Sequence, residues 1–164
     1  MNALSLDDIN SISPYLVKQA DDGDYVFQTS KGFVYGIGFL YNEPLGECET
    51  FQLSISNQNK VHASYDPDVK ITIVAIVNEF FRQNLDGLLY MCDTSDNREA
   101  ARNRLFLRWF EESSAPNRFL IRTASAEIEG QGFYAAIIVE IRNPRASAVI
   151  ADFERTAEML TTGK

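Results

Sequence analysis

The sequence predicts an α+β two-layer sandwich: a mostly antiparallel six-stranded sheet against three helices, in the order β-β-β-α-β-α-β-β-α. Three observations lead there. Alternating stretches fall in adjacent pairs joined by short turn signals, as hairpins do. Three other stretches place apolar residues at helical spacing. The run Phe133–Ile141, FYAAIIVEI, is apolar on both faces and so belongs in the middle of a sheet.

Residues 1–23 read as an irregular N-terminal segment with a short helix near Leu6–Ile12. Asp21-Asp22-Gly23-Asp24 is a turn; it lacks the alternating ligands and terminal Glu of a calcium loop. Tyr25–Thr29 alternates as a first strand, Ser30-Lys31-Gly32 turns, and Phe33–Tyr41 forms the second. Phe33, Tyr35, Ile37, Phe39 and Tyr41 share one face of that strand, and Val34, Gly36, Gly38 and Leu40 the other. The glycine face is flat and admits a close neighbour. An acidic loop follows at 42–50, with Cys48 in it. Phe51, Leu53 and Ile55 then alternate with polar residues, as in a half-exposed third strand near the sheet edge.

Asp66-Pro67 is a helix start, with Asp as N-cap and Pro in the first turn. Val69, Ile73, Ile76, Val77, Phe80 and Phe81 give this helix a broad apolar face to about Asn84; Asp68, Thr72, Glu79 and Arg82 lie opposite. Asp86-Gly87 turns into a buried strand, Leu88–Cys92. The next helix starts at Ser95 or Asp96 and reaches about Glu112, burying Leu105, Phe106, Trp109 and Phe110. Arg118–Ile128 and Phe133–Ile141 form a hairpin around Glu129-Gly130-Gln131-Gly132. A last helix, about Arg145–Leu160, buries Val149, Ile150, Phe153, Ala157 and Leu160. Taken together, residues 1–164 form one α+β domain.

Composition narrows the function classes. Apolar residues make up 45% of the chain and charged residues 23%, ordinary values for a folded domain. No run of 18 apolar residues occurs, so no membrane partner is expected. The stretch MNALSLDDINSI has early aspartates and no basic region, unlike a secretory signal, and the expected compartment is the cytoplasm. A net charge of −8 argues against nucleic acid held by phosphate neutralisation; only a local patch of Arg104, Arg108, Arg118 and Arg122 would serve. The same charge suits a partner protein or self-association.

No motif fixes a reaction. The one histidine, His62, sits in a polar loop, and Cys48 and Cys92 are far apart in sequence, so no metal site and no cofactor are expected. The place where α/β proteins often hold ligands is the strand–helix junction at Asp93. Ser95 and Asp96 open the helix, and Arg98 and Arg102 lie one and two turns upstream of its apolar face. These residues would hold a phosphate or carboxylate at the helix N-terminus. The favoured reading is structural: Asp93 and Asp96 cap the helix and pair with the same arginines, leaving a neutral junction, since two aspartates at its mouth repel an anion. Arg104 and Arg108, on the opposite side, are the candidate partner surface. The expected role is a small binding protein that contacts another protein without catalysis; the alternative is an anion-binding domain or enzyme at the junction.

Tyr25-x-Phe27-x-Thr29-x-x-Gly32-x-x-Tyr35, Cys92-Asp93 and the run Arg102-Asn103-Arg104-Leu105-Phe106-x-Arg108-Trp109-Phe110 resemble a small family of bacterial single-domain proteins of unknown function. The resemblance spans residues 24–142, and RNRLF-x-RWF is its most specific part. It implies a bacterial, intracellular, stand-alone domain and supplies no activity, cofactor or catalytic residue.

Overall fold

The computed structural model describes residues 1–59, 66–93, 106–112 and 117–162. Among the described residues it is an α+β fold with four helices and a single mixed sheet of seven strands. The elements are α1 (Leu6–Ile12), β1 (Lys18–Gln19), β2 (Tyr25–Gln28), β3 (Val34–Leu45), β4 (Cys48–Asn57), α2 (Pro67–Gln83), β5 (Gly87–Asp93), α3 (described over 106–112), β6 (Phe119–Ile128), β7 (Gln131–Glu140) and α4 (Ala146–Thr162). The strands hydrogen-bond in the order β1-β2-β3-β4-β5-β7-β6. The six-strand, three-helix expectation thus misses β1 and counts one helix too few. β1 is only two residues long, both exposed, and leaves no alternation to read. The chain forms two compact units, Met1–Leu40 with Leu53–Asn84, and Tyr41–Gln52 with Leu85–Lys164.

In the first unit, Asp66 caps α2 as the sequence predicts, accepting from the Asp68 N–H at 2.9 Å, with Pro67 in the first turn. Ile73, Ile76, Val77, Phe80 and Phe81 are buried as expected. Thr72 and Glu79, expected on the solvent side, are buried as well. The reason lies in α1, which packs on α2: the Ser5 N–H donates to Glu79 Oε1, and Arg82 pairs with Glu79 Oε2 at 3.0 Å. The Thr72 hydroxyl is satisfied inside its own helix by the Asp68 carbonyl at 2.7 Å. The aromatic face of β3 enters the core, with Phe39 stacked on Phe80 at 4.8 Å and Tyr35 on Phe27 at 5.4 Å.

The flat glycine face is occupied by the chain's own side chains. A Cβ at Gly38 would lie 2.6 Å from Asp24 Oδ1, and one at Gly36 would lie 3.0 Å from Ser56 Oγ and 3.3 Å from Gln58 Nε2. Glycine is needed here because side chains from β4 and the turn before β2 lie against the strand.

In the second unit, the acidic loop expected at 42–50 is a two-residue turn. β3 continues through Pro44, whose fixed φ suits an extended strand, and the chain reverses at Gly46 and Glu47, with φ of 56° and 60°. Cys48, expected in the loop, is a buried β4 residue with a free thiol. β4 lies in the middle of the strand order, not near an edge. Its polar alternation marks a solvated sheet face, a signal easily mistaken for an edge. The β6–β7 hairpin turns on Glu129 and Gly130, with φ of 54° and 80°. β7 pairs with β5 (Leu88↔Ile138 to Asp93↔Phe133) and with β6 (Phe119↔Glu140 to Ile128↔Gln131), the central position its sequence predicts.

Helices cover both faces of this part of the sheet, so the two-layer expectation does not hold here. Leu89 and Ile137 pack with Val149 and Phe153 of α4 and with Cys48. Tyr90, the next residue along β5, points the other way and lies 6.1 Å from Phe106 of α3. The buried face of α3 comprises Phe106, Leu107 and Phe110, with Trp109 half-buried, so the face is turned toward Leu107 relative to the expected one. Leu105 and the expected start of α3 fall outside the described residues. Along α4, Val149 and Phe153 are buried and Ile150 and Ala157 half-buried, but Leu160 is 52% exposed, contrary to expectation. The apolar stripe loses its cover beyond Phe153.

Candidate functional site

The expected site at the β5–α3 junction is described at one residue. Asp93 closes β5, with its backbone opposite Phe133. Ser95, Asp96, Arg98, Arg102 and Arg104 lie outside the described residues, as does His62. Arg108 is exposed on α3. Of the arginine patch considered for nucleic acid, Arg122 reaches Glu154 at 3.8 Å and Arg118 is committed elsewhere.

That commitment defines the best-built polar site among the described residues. An open cleft of about 280 Å³ is lined by Asn117, Arg118, Glu140, Ile141 and Arg142, where β6 begins and β7 ends. Asn117 turns the chain into β6 with a φ of 61°, a left-handed conformation that asparagine tolerates better than most residues. The Ile141 N–H donates to the Arg118 carbonyl at 2.9 Å and ties the two chain segments together just beyond the last ladder pair. Alternation along β7 puts Glu140 on the face of Ala136 and Ile138, the side that α3 covers.

Glu140 is 2% exposed and accepts from two arginines. Arg118 donates to Oε1 from both Nε, at 3.1 Å, and Nη2, at 2.9 Å. Arg142 donates to Oε2 from Nε. The Arg118 guanidinium lies 4.7 Å above the Phe119 ring, and that ring packs at 4.8 Å on Phe110 of α3. A buried carboxylate needs such partners to stay charged. Two guanidiniums thus flank one carboxylate, in a chain whose formal charge is −8.

Sequence reasoning considered Arg118 only as part of a patch, and missed Glu140 and Arg142. A signal was present: Glu140 is the one charged residue in the apolar run FYAAIIVEI, and a carboxylate in a central strand must find cations. The cleft is also far from Asp93. Phe133, opposite Asp93, and Glu140 are separated by seven residues of one strand, about 23 Å. Among the described residues, no group of three or more His, Cys, Asp or Glu is placed to hold a metal ion. No helix among them is long and apolar enough to cross a membrane.

Comparison with known proteins returns no match among curated proteins. A crystal structure described as that of a presumed phosphinothricin N-acetyltransferase aligns over 74% of this chain and 73% of its own, at 15% identity and a TM-score of 0.38. A family model matches residues 65–155, which include α2, β5, the hairpin and the whole of the Arg118–Glu140–Arg142 cleft; the chain belongs to the family of unknown function DUF6169.

Proposed function

We propose that this protein is a binding domain for a small organic anion, seated in the cleft at the open end of the β6–β7 hairpin. One observation carries the reading: Arg118 and Arg142 converge on one carboxylate, that of the buried Glu140. Clustered guanidiniums in an acidic protein concentrate field where an anion would dock. Guanidiniums are forked donors suited to carboxylate and phosphate, and Glu140 holds both in place before any ligand arrives. Both oxygens of Glu140 already accept from arginine, which suits a positioning role better than proton transfer. This reading shares its ligand class with the alternative expected from sequence, but concerns Arg118 and Arg142 instead of Asp93, Arg98 and Arg102.

The test is calorimetric titration of the whole protein with acetate and with inorganic phosphate, against chloride at matched ionic strength. Binding that is lost in Arg142→Ala supports the reading; heats indistinguishable from chloride overturn it. Arg142 is 65% exposed in its side chain, so this variant keeps the fold.

A second reading, association with a partner protein or another copy, is supported by Met159 and Leu160, 54% and 52% exposed near the end of α4. Sedimentation of the purified protein, alone and in lysate, tests it. In either reading we place the domain in a bacterial cytoplasm, where the buried Cys48 thiol would remain reduced.

A further inference from the structure

We infer that the outer edge of β6 takes up an extended peptide of alternating apolar and basic residues, as an added strand beneath the end of α4. This gives the partner-protein reading a site and rests on it; it is independent of the anion cleft. β6 ends the strand order, with no strand beyond it among the described residues. It is 10 residues long, has no proline and pairs with β7 in unbroken register. Sheet edges are ordinarily blunted by shortness, proline or a bulge. β1, at two residues, is blunted in this way, and β6 is not.

Alternation decides which backbone groups face outward. The Arg118 carbonyl accepts from the Ile141 N–H, so even-numbered residues of β6 turn their groups to β7 and odd-numbered ones turn them away. Ile121, Thr123, Ser125 and Glu127 therefore present N–H and C=O groups at the edge. Among the described residues these are met only at the Ile121 carbonyl, by Arg122 Nη1 at 2.9 Å.

α4 forms a roof over the space beside this edge. It starts against β4, with Ala148 at Gly46 and Val149 packed with Cys48, and has reached β6 at Glu154, which meets Arg122. β5 and β7 lie between those two strands, so the helix crosses the sheet toward the open edge. From Glu154 to Thr162 it rises about 12 Å further, against about 4.8 Å between neighbouring strands. Leu160, which continues the stripe of Val149 and Phe153, is 52% exposed in this overhang. A strand added to β6 would cover it.

Charge and space identify the occupant. Glu127 on β6 and Glu158 on α4, one turn beyond Glu154, are exposed carboxylates beside the strip, and they favour lysine or arginine on an incoming strand. Alternation then sends apolar side chains toward Leu160 and basic ones to the other face, opposite Glu127. A second copy pairing antiparallel at this edge would bring its own α4 onto the same side of the sheet, into the space the first α4 fills.

The experiment uses the full chain and a short fluorescent peptide of alternating valine and lysine, with a valine–glutamate peptide of equal length as control. Fluorescence polarisation should show the lysine peptide binding at least about tenfold more tightly. Bound peptide should slow amide exchange at Thr123, Ser125 and Glu127 by about tenfold or more, leaving Arg122, Ala124 and Ala126, which already face β7, unchanged. Thr123→Pro removes an outward donor without touching the β7 ladder and should weaken binding about tenfold. Leu160→Ser, at an exposed position, keeps the fold and should weaken it several-fold. Equal binding of both peptides, or binding without the alternating protection, overturns the inference. Protection of the same amides that rises with protein concentration alone assigns the edge to a second copy and also overturns it. If neither peptide binds while a partner from lysate co-sediments, β6 is not the site and the partner reading stands; if nothing binds in either experiment, both fall.

Discussion

Arg118 directs two donors at a single oxygen of Glu140, 3.1 and 2.9 Å away, and leaves the other oxygen to Arg142. The arrangement is unequal. Glu140 is 2% exposed in its side chain, whereas Arg118 and Arg142 are 31% and 65% exposed. Removing the carboxylate takes a buried partner from two arginines that water partly reaches; removing one arginine leaves Glu140 with the other. Breaking a fully buried pair costs about 3–5 kcal/mol, and the exposure of these arginines reduces that. Glu140→Ala should therefore cost about 2–3 kcal/mol, and Arg142→Ala less than about 1 kcal/mol. Urea midpoints in the reverse order would mean that Glu140 does not hold the site together.

The β3–β4 turn makes a sharper prediction. A Cβ at Gly46 would lie 2.4 Å from the Ala148 carbonyl carbon and 2.6 Å from the Val149 nitrogen. Both are backbone atoms of α4, which cannot swing aside as a side chain can. The φ of 56° adds the left-handed penalty of about 1–2 kcal/mol to an overpacking cost of about 1–3. Gly46→Ala should lose about 3–4 kcal/mol, whereas Gly130→Ala, with nothing within 4 Å, should lose only the conformational part. Equal losses in chemical denaturation would show that the turn is not packed on α4.

These two regions show what the sequence makes legible. The Asp66-Pro67 helix start, the aromatic face of β3 and the central place of β7 follow from local chemistry, because caps and alternation are written in adjacent residues. The turn at Gly46 and Glu47 was hidden by Pro44, which reads as a breaker yet sits within β3. Burial of Glu79 was hidden because it depends on α1, more than seventy residues earlier, whose Ser5 N–H reaches its carboxylate. The cleft was unreadable for the same reason: Arg118 and Glu140 meet only once the β6–β7 register is set. Periodicity places a residue on a face, but it does not say what covers that face.

Helix α3 illustrates the last point and yields a test. By spacing alone Trp109 belongs to the core, but it is half-buried, and Phe110 is completely buried between Phe106 and Phe119. Emptying a fully buried phenylalanine position costs about 3–5 kcal/mol. Phe110→Ala should lie in that range and Trp109→Ala clearly below it. Thermal unfolding of the two variants decides the matter, and a larger loss at Trp109 would restore the phasing read from sequence.

Asp24 and Asp152 should respond to acid in opposite senses. Burial, and then the charge of Asp22, raises the Asp24 carboxyl above its ordinary value. The native state thus binds this proton more tightly than the unfolded chain, so stability from this group falls as pH rises through the ordinary carboxylate value of about 3.9 toward the raised one. At Asp152 the Gly46 N–H, 2.8 Å away, and then Arg155 hold the carboxyl below its ordinary value. Its contribution is complete above the ordinary value and disappears as pH falls through the lowered one. Asp24→Asn should therefore stabilise the protein at pH 7 by less than about 1 kcal/mol after solvent screening, and Asp152→Asn should destabilise it. Both differences should shrink as the pH falls and each wild-type carboxyl takes up its proton. Urea denaturation of each variant at pH 7 and pH 2 reads this directly. If Asp152→Asn proved neutral at pH 7, its carboxylate would not be what fastens the Gly46 turn to α4.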